Sequence, residues 1–194
     1  MIHVVLCDDH ALVRRGIRET LVEAADIQVT AEASSYTELR EALRTAACDV
    51  LLLALNLPGR SGLEVLASVR ETHPAIHVLV VSMYSEDQYA VRCLRAGAQG
   101  YANKASDPGE LVGAVRTLVA GRKYLTAEVA QMLAQSVSQP QLEAPHTALS
   151  ERELQTLLKI ASGRRLSEIA EELMLSPKTV SVYRARVLEK LQLA

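Results

Sequence analysis

Five positions at the ends of apolar runs define the chemistry this 194-residue chain could perform: Asp8 and Asp9, Ala54, Ser82 and Lys104. Two adjacent carboxylates can hold a hard cation such as Mg2+ through oxygen. Lys104 offers a compact positive charge to an anion, and Ser82 offers a hydroxyl donor. Together these groups suit a phosphoryl group. Each is ordinary when taken alone. Asp9 could simply cap a helix running from His10 to about Glu23, with Asp8 solvated, Lys104 a surface lysine and Ser82 the end of a strand. Their joint placement is what carries meaning, because ligands of a doubly wound sheet gather outside the carboxyl ends of its strands.

The elements that must position these residues are legible in the hydropathy pattern. Through the first two-thirds, short aliphatic runs alternate with amphipathic stretches of helical period, which predicts a parallel sheet covered by helices on both faces. Strands are expected over residues 2–7, 27–33, 49–53, 76–82 and 99–103. Helix starts are marked by Ser35-x-x-Glu38, Ser61-x-x-Glu64 and Ser85-x-x-Gln88 at capping-box spacing, and by Asp107-Pro108. After Gly121 one further helix is expected over 126–135, then a Gln/Ser/Pro/Ala-rich linker over 136–147. Beyond it only helices are expected, starting at Ser150-x-x-Glu153, at Ser167 and at Ser176-Pro177. The fold class is therefore α/β, a five-stranded doubly wound parallel sheet over residues 1–122. A linker with one helix (123–147) leads to a small all-α domain (148–194).

Asp8-Asp9-His10, Leu57-Pro58-Gly59-x-Ser61-Gly62, Ser82, Gly97-Ala98-x-Gly100-Tyr101 and Lys104 resemble the receiver domain of two-component response regulators, a flavodoxin-like fold. The resemblance implies that the two acids after the first strand bind Mg2+, helped by the backbone carbonyl of Asn56. It also implies that an Asp ending the third strand accepts phosphate from a sensor histidine kinase. Ser82 and Lys104 then respond to the new charge, and Tyr101 shifts its rotamer. This chain departs from that pattern where it matters most: Ala54 stands where the resemblance implies Asp. A methyl group cannot attack a phosphohistidine, and one metal-binding carboxylate is gone, so neither aspartyl-phosphate formation nor tight Mg2+ binding is expected. The intact remainder (Asp8, Asp9, Ser82, Tyr101 and Lys104) favours a designed replacement that silences phosphorylation over a natural receiver-like domain that works without it.

In the C-terminal part, Leu154, Leu157, Leu158 and Ala161 share a helical face that ends at Gly163. A short helix turns Ile169, Ala170 and Leu173 inward, Met174-Leu175 makes a tight connection, and a third helix runs to about Leu191 with Val180, Val187, Leu188 and Leu191 available to a core. That is the helix-turn-helix outline. The outward face of the third helix offers Lys178, Ser181, Val182 and Ala185, flanked by Thr179, Tyr183, Arg184, Arg186 and Lys190. Leu149-Ser150-x-Arg152-Glu153, Ala161-x-Gly163, Glu168-Ile169-Ala170 and Leu175-Ser176-x-Lys178-Thr179-Val180-x-x-Tyr183 resemble the LuxR-type domain of NarL/FixJ response regulators. The resemblance implies binding of promoter DNA as a homodimer, with phosphate contacts from Thr179, Tyr183, Arg184, Arg186 and Lys190. The family domain continues into a fourth helix beyond the point where this sequence stops, from which weaker dimer contact and DNA affinity are expected.

Composition limits the other classes. No apolar run approaches the ~18 residues of a membrane span, and the N-terminus lacks the basic start and cleavage site of a secretory signal, so a cytoplasmic protein is expected. Cys7, Cys48 and Cys93 lie far apart without metal-ligand spacing and read as reduced core thiols. The net charge of −2 argues neither way for nucleic acid, but from Met174 onward Lys178, Arg184, Arg186 and Lys190 face Glu189 alone. An enzymatic alternative, a Mg2+-dependent phosphotransferase with Asp8 or Asp9 as nucleophile, lacks a third carboxylate and an acid-base His after a strand. An interaction-only receiver whose tail never meets DNA is the remaining alternative.

Overall fold

The computed structural model describes residues 1–138 and 148–193. It divides into two compact units, Met1–Ala134 and Gln135–Ala194.

In the first unit five strands, β1 (Ile2–Cys7), β2 (Ile27–Ala33), β3 (Val50–Leu53), β4 (His77–Ser82) and β5 (Gly100–Asn103), form one sheet in the order β2-β1-β3-β4-β5. All neighbours pair in parallel. The strand order reverses between β1 and β3, which opens the crevice where such sheets bind ligands. The helices are α1 (Ala11–Val22), α2 (Tyr36–Thr45), α3 (Gly62–Thr72), α4 (Glu86–Arg95), α5 (Pro108–Val119) and α6 (Ala127–Ser138). One core joins Val4, Leu6, Val50, Leu52, Leu79 and Val81 of the strands to Leu21 of α1 and Ala114, Val115 and Leu118 of α5. By the pleat, Val5, Cys7, Leu51, Leu53, Val78 and Val80 point to the other face. All six are buried, as are Leu39, Val65, Leu66, Val69 and Cys93 of α2 to α4. The inner strands β1, β3 and β4 are thus covered on both sides, the reason their sequences read as apolar runs, whereas the edge strand β2 leaves Gln28 and Glu32 exposed.

The capping signals are met unevenly. Ser61 caps α3 in a full reciprocal box with Glu64, Ser35 accepts from the Glu38 N–H, and Asp107 accepts from the Gly109 N–H. Ser85 occupies the N-cap of α4 without a side-chain cap bond. Helix α1 is capped at His10, not Asp9, because the His10 N–H turns back to Asp8 Oδ1 at 2.9 Å. Helix α6 extends to Ser138, into the stretch expected as linker; residues 139–147 and Ala194 lie outside the described residues.

Gly62 sets how closely the start of α3 approaches the end of β3. Its N–H donates to Leu55 O at 2.8 Å, and a Cβ there would lie 2.5 Å from both Ala54 O and Leu55 Cα. Since these are backbone atoms that cannot rotate away, Gly62→Ala is expected to cost about 3 kcal/mol, read as a lower urea midpoint. An unchanged midpoint would show that the loop gives way freely.

The described residues of the second unit from Ala148 on form α7 (Glu151–Ala161), α8 (Leu166–Glu172) and α9 (Pro177–Lys190). Ser150 caps α7 in a reciprocal box with Glu153, and Ser176 caps α9 by accepting from the Thr179 N–H at 3.1 Å. Helix α8 begins before the expected Ser167: Arg165 is its N-cap, with Glu168 Oε2 accepting the Arg165 N–H at 2.8 Å. Met174 takes a left-handed φ of 53° in the α8–α9 turn. Ile169, Ala170, Leu173 and Val180 form the buried centre, packed by Ile160, Leu166 and Leu175. Leu154 and Val187 are also buried, whereas Ala161, expected inward, is exposed.

Candidate phosphorylation pocket and nucleic-acid interface

The end of β1 delivers Asp8 into the crevice, anchored by its N–H to Ala33 O at 3.0 Å. Its side chain is 5% exposed, and both carboxylate oxygens are engaged: Oδ1 with the His10 N–H, and Oδ2 with Lys104 Nζ at 2.5 Å. Lys104, after β5, is 7% exposed. A charge pair this deeply desolvated holds together firmly, because removing either partner leaves the other buried and uncompensated, a loss of about 3–5 kcal/mol. Asp9 Oδ1 lies 2.7 Å from His10 Nδ1. The candidate ligand atoms of Asp8, Asp9 and His10 all fall within 4.8 Å of one another. Arg14 frames the group, its Nη1 donating to Asp8 O at 2.6 Å and its Nε to Glu32 Oε2 at 2.9 Å.

Ala54 follows β3, its N–H donating to Cys7 O at 2.9 Å. With Cys7, Asp8 and Arg14 it lines a void of about 10 Å3, room for about one water. Mg2+ requires a near-octahedral set of oxygens at about 2.0–2.1 Å. Here the side chain at position 54 supplies no oxygen, and both Asp8 oxygens are engaged by the His10 N–H and Lys104.

Ser82 ties the ends of β4 and β5: its carbonyl accepts the Lys104 N–H at 2.8 Å, and its Oγ accepts the Tyr84 N–H at 3.2 Å. Tyr84 O in turn accepts from the Tyr101 hydroxyl at 2.7 Å and from Asn103 Nδ2 at 3.2 Å. Tyr101 is therefore turned inward, 1% exposed. Burial pushes its phenol well above the ordinary range, so it stays a proton donor. Asn56, half-buried, sits two residues beyond Ala54. Burial also drives the Cys7 and Cys48 thiols to about 12, which keeps them protonated and unreactive.

All the strand-end residues singled out in the sequence thus end in one neighbourhood. Arg14 and the Tyr84 carbonyl were not foreseen. Arg14 could have been suspected from its place one turn into α1, four residues after His10. Nothing in the sequence marks a backbone carbonyl.

In the second unit, Lys178, Ser181, Val182, Arg184, Ala185 and Arg186 are exposed on α9, and Thr179 and Tyr183 are half-buried. Val182, 43% exposed, and Ala185 are the apolar groups on a face otherwise made of polar residues. Lys190 is differently placed. Its Nζ lies 2.7 Å from Glu153 Oε2 and 3.3 Å from Ala148 O, so it clamps the end of α9 to the start of α7. Burial opposes ionisation of Glu153, but hydrogen bonds from Lys190 and the Ser150 N–H outweigh it and hold the carboxyl below its usual range. A depressed folded pKa gives stability that is present above the unfolded value of about 4.3 and lost as pH falls through the folded one. Lys190→Met is expected to flatten the acid limb of the melting-temperature profile of this unit; an acid limb identical to the parent's would contradict this.

Two family descriptions match the chain: "Response regulator receiver domain" over residues 4–116 and "Bacterial regulatory proteins, luxR family" over residues 147–194. The chain belongs to the NarL/FixJ family of response regulators. This NarL/FixJ regulator is 39% identical over 194 residues to "Response regulator UvrY" of Escherichia coli (strain K12), spanning 100% of this chain and 89% of that relative. It is 40% identical over 195 residues to "Response regulator GacA" of Pseudomonas syringae pv. syringae (strain B728a), spanning 100% and 91%. Among solved structures, the complex of the two-component response regulator RcsB with DNA aligns at a TM-score of 0.64 and 26% identity, over 100% of this chain and 93% of that one. Among the described residues of this NarL/FixJ regulator, no helix is long and apolar enough to cross a membrane.

Proposed function

We propose that this response regulator is a cytoplasmic transcription regulator that binds promoter DNA as a homodimer through α9, and that its receiver cannot be switched by aspartyl phosphorylation. The modules of the reading are a receiver at 1–122, a connecting segment at 123–147 and a DNA reader at 148–194. The observation that carries the DNA half is the exposed polar and cationic face of α9, launched from a capped start after a left-handed turn. In a helix-turn-helix the N-terminal part of the second helix meets base edges and flanking cations hold phosphates. Lys178, Ser181, Val182 and Ala185 are assigned to the groove, with Thr179, Tyr183, Arg184 and Arg186 at the backbone. The tie between Lys190 and Glu153 argues against the expected phosphate contact from Lys190.

For the receiver half, the pocket groups of the reading are Asp8, Asp9, Ser82, Tyr101 and Lys104, facing Ala54. Phosphate transfer from a sensor histidine kinase needs an oxygen nucleophile on the third strand. With a methyl there, Lys104 settles on Asp8, Mg2+ binding at Asp8, Asp9 and the Asn56 carbonyl is weak or absent, and no charge change reaches Ser82. The enzymatic alternative fares worse still, because the Asp8 carboxylate is already engaged by Lys104 and His10.

The test is an anisotropy titration of a labelled duplex. Binding that weakens steeply with added salt supports the reading. Affinity too weak to detect at low salt would favour the interaction-only receiver.

A further inference from the structure

The segment 150–194 carries eight lysines and arginines, and the structure sorts them. Arg152 is buried and donates to Gln155 Oε1. Lys159 and Arg164 both reach Glu172, and Lys190 is held by Glu153. Four remain exposed and, among the described residues, without an ion pair. Lys178, Arg184 and Arg186 lie on α9, where the DNA-binding reading already uses them. The fourth, Arg165, lies on a different element.

Arg165 is the N-cap of α8, and its backbone is fixed there: the N–H donates to Glu168 Oε2 at 2.8 Å and the carbonyl accepts the Ile169 N–H at 3.0 Å. Local structure gives no reason for an arginine at this position. N-caps favour Ser, Thr, Asn or Asp, whose oxygens accept from the first turn, and a cation beside a helix N-terminus is disfavoured by the helix dipole. The Arg165 side chain makes no cap hydrogen bond. A residue that opposes its local setting and leaves an exposed charge marks a functional position.

In a helix-turn-helix the first helix crosses the DNA backbone while the second lies in the groove. Helix α8 is that first helix. We propose that Arg165 contacts a backbone phosphate of bound DNA, taking the place among the phosphate contacts that the sequence pattern had given to Lys190. This rests on the DNA-binding reading of α9 and extends it to a second element. Contact with phosphate carries no base information, so Arg165 contributes affinity and register, not sequence choice.

The experiment measures the affinity of the full chain for a fluorescein-labelled mixed-sequence duplex across a salt series from about 50 to 200 mM. Removing one phosphate contact lowers the slope of log K against log salt by about 0.9 per bound chain. Arg165→Ala is expected to show that loss, and to weaken binding by the same factor on unrelated sequences. Arg165→Lys keeps the charge and the slope, and Lys190→Ala keeps the parent slope. Thermal unfolding of Arg165→Ala should match the parent, since the side chain is exposed. If Arg165→Ala keeps the parent slope while Arg184→Ala loses about 0.9, the assignment of Arg165 is overturned and the reading of α9 stands. If Arg184→Ala also keeps the parent slope, the reading of α9 fails and the Arg165 contact with it.

Discussion

Ala54→Asp is expected to convert a chain that takes up no phosphoryl group from acetyl phosphate and Mg2+ into one that takes up about one per chain, read as added mass on the intact protein. The machinery around the position is otherwise in place. Asp8 and Asp9 supply carboxylates, Lys104 lies 2.5 Å from Asp8 and Ser82 ends β4. The new carboxylate would enter a region it shares with the buried Asp8, since both residues line the same small void. Two close carboxylates repel, which raises the tendency of one to stay protonated. Lys104 can divide its charge between them, and Asp8, Asp9 and the new carboxylate would hold a divalent cation that supplied further positive charge. The carboxylate oxygen then attacks phosphorus, the bond to acetate breaks, and acetate leaves with its electron pair. No added mass on Ala54→Asp would mean that more than the nucleophile is missing from the site.

The second large effect concerns DNA. Lys178→Ala combined with Arg184→Ala is expected to weaken binding about a hundredfold at moderate salt, because it removes a base-edge contact from the groove, worth about 1–3 kcal/mol, and a phosphate contact whose counterion release contributes nearly one power of the salt concentration. Both side chains are exposed and, among the described residues, unpaired, so neither substitution disturbs the buried centre around Ile169, Leu173 and Val180. The melting temperature should therefore remain that of the parent. A pair of variants that bind as the parent does would remove α9 from the interface.

Much of the frame could be read from the sequence because the inner strands β1, β3 and β4 are buried on both faces and so appear as apolar runs. The strands over 2–7 and 27–33 are found at those bounds, while β3, β4 and β5 each begin one residue later than expected. Just before β3, the Asp49 carboxylate takes the His3 N–H at 2.7 Å and pairs with the His3 ring. Cap positions were less legible. Ser167 looks like a helix start by residue type, but Glu168 can reach back to the Arg165 N–H, and that moves the start of α8 forward. At the site, residue types and their strand-end positions could be inferred, since topology alone brings them together. The commitments of individual charges could not. Whether Lys104 sits on Asp8, or Lys190 on Glu153, depends on distances across 96 and 37 residues of chain, and no local pattern encodes them.

Because Ala54 stands at the acceptor position of a receiver that shares its chain with a LuxR-type DNA-binding domain, the most direct measurement is the DNA affinity of the unaltered chain before and after incubation with acetyl phosphate and Mg2+. The expected result is one salt-dependent binding curve that the phosphodonor leaves unmoved, with no mass added to the protein. A curve that shifts on phosphodonor treatment together with a stoichiometric phosphoprotein would contradict it.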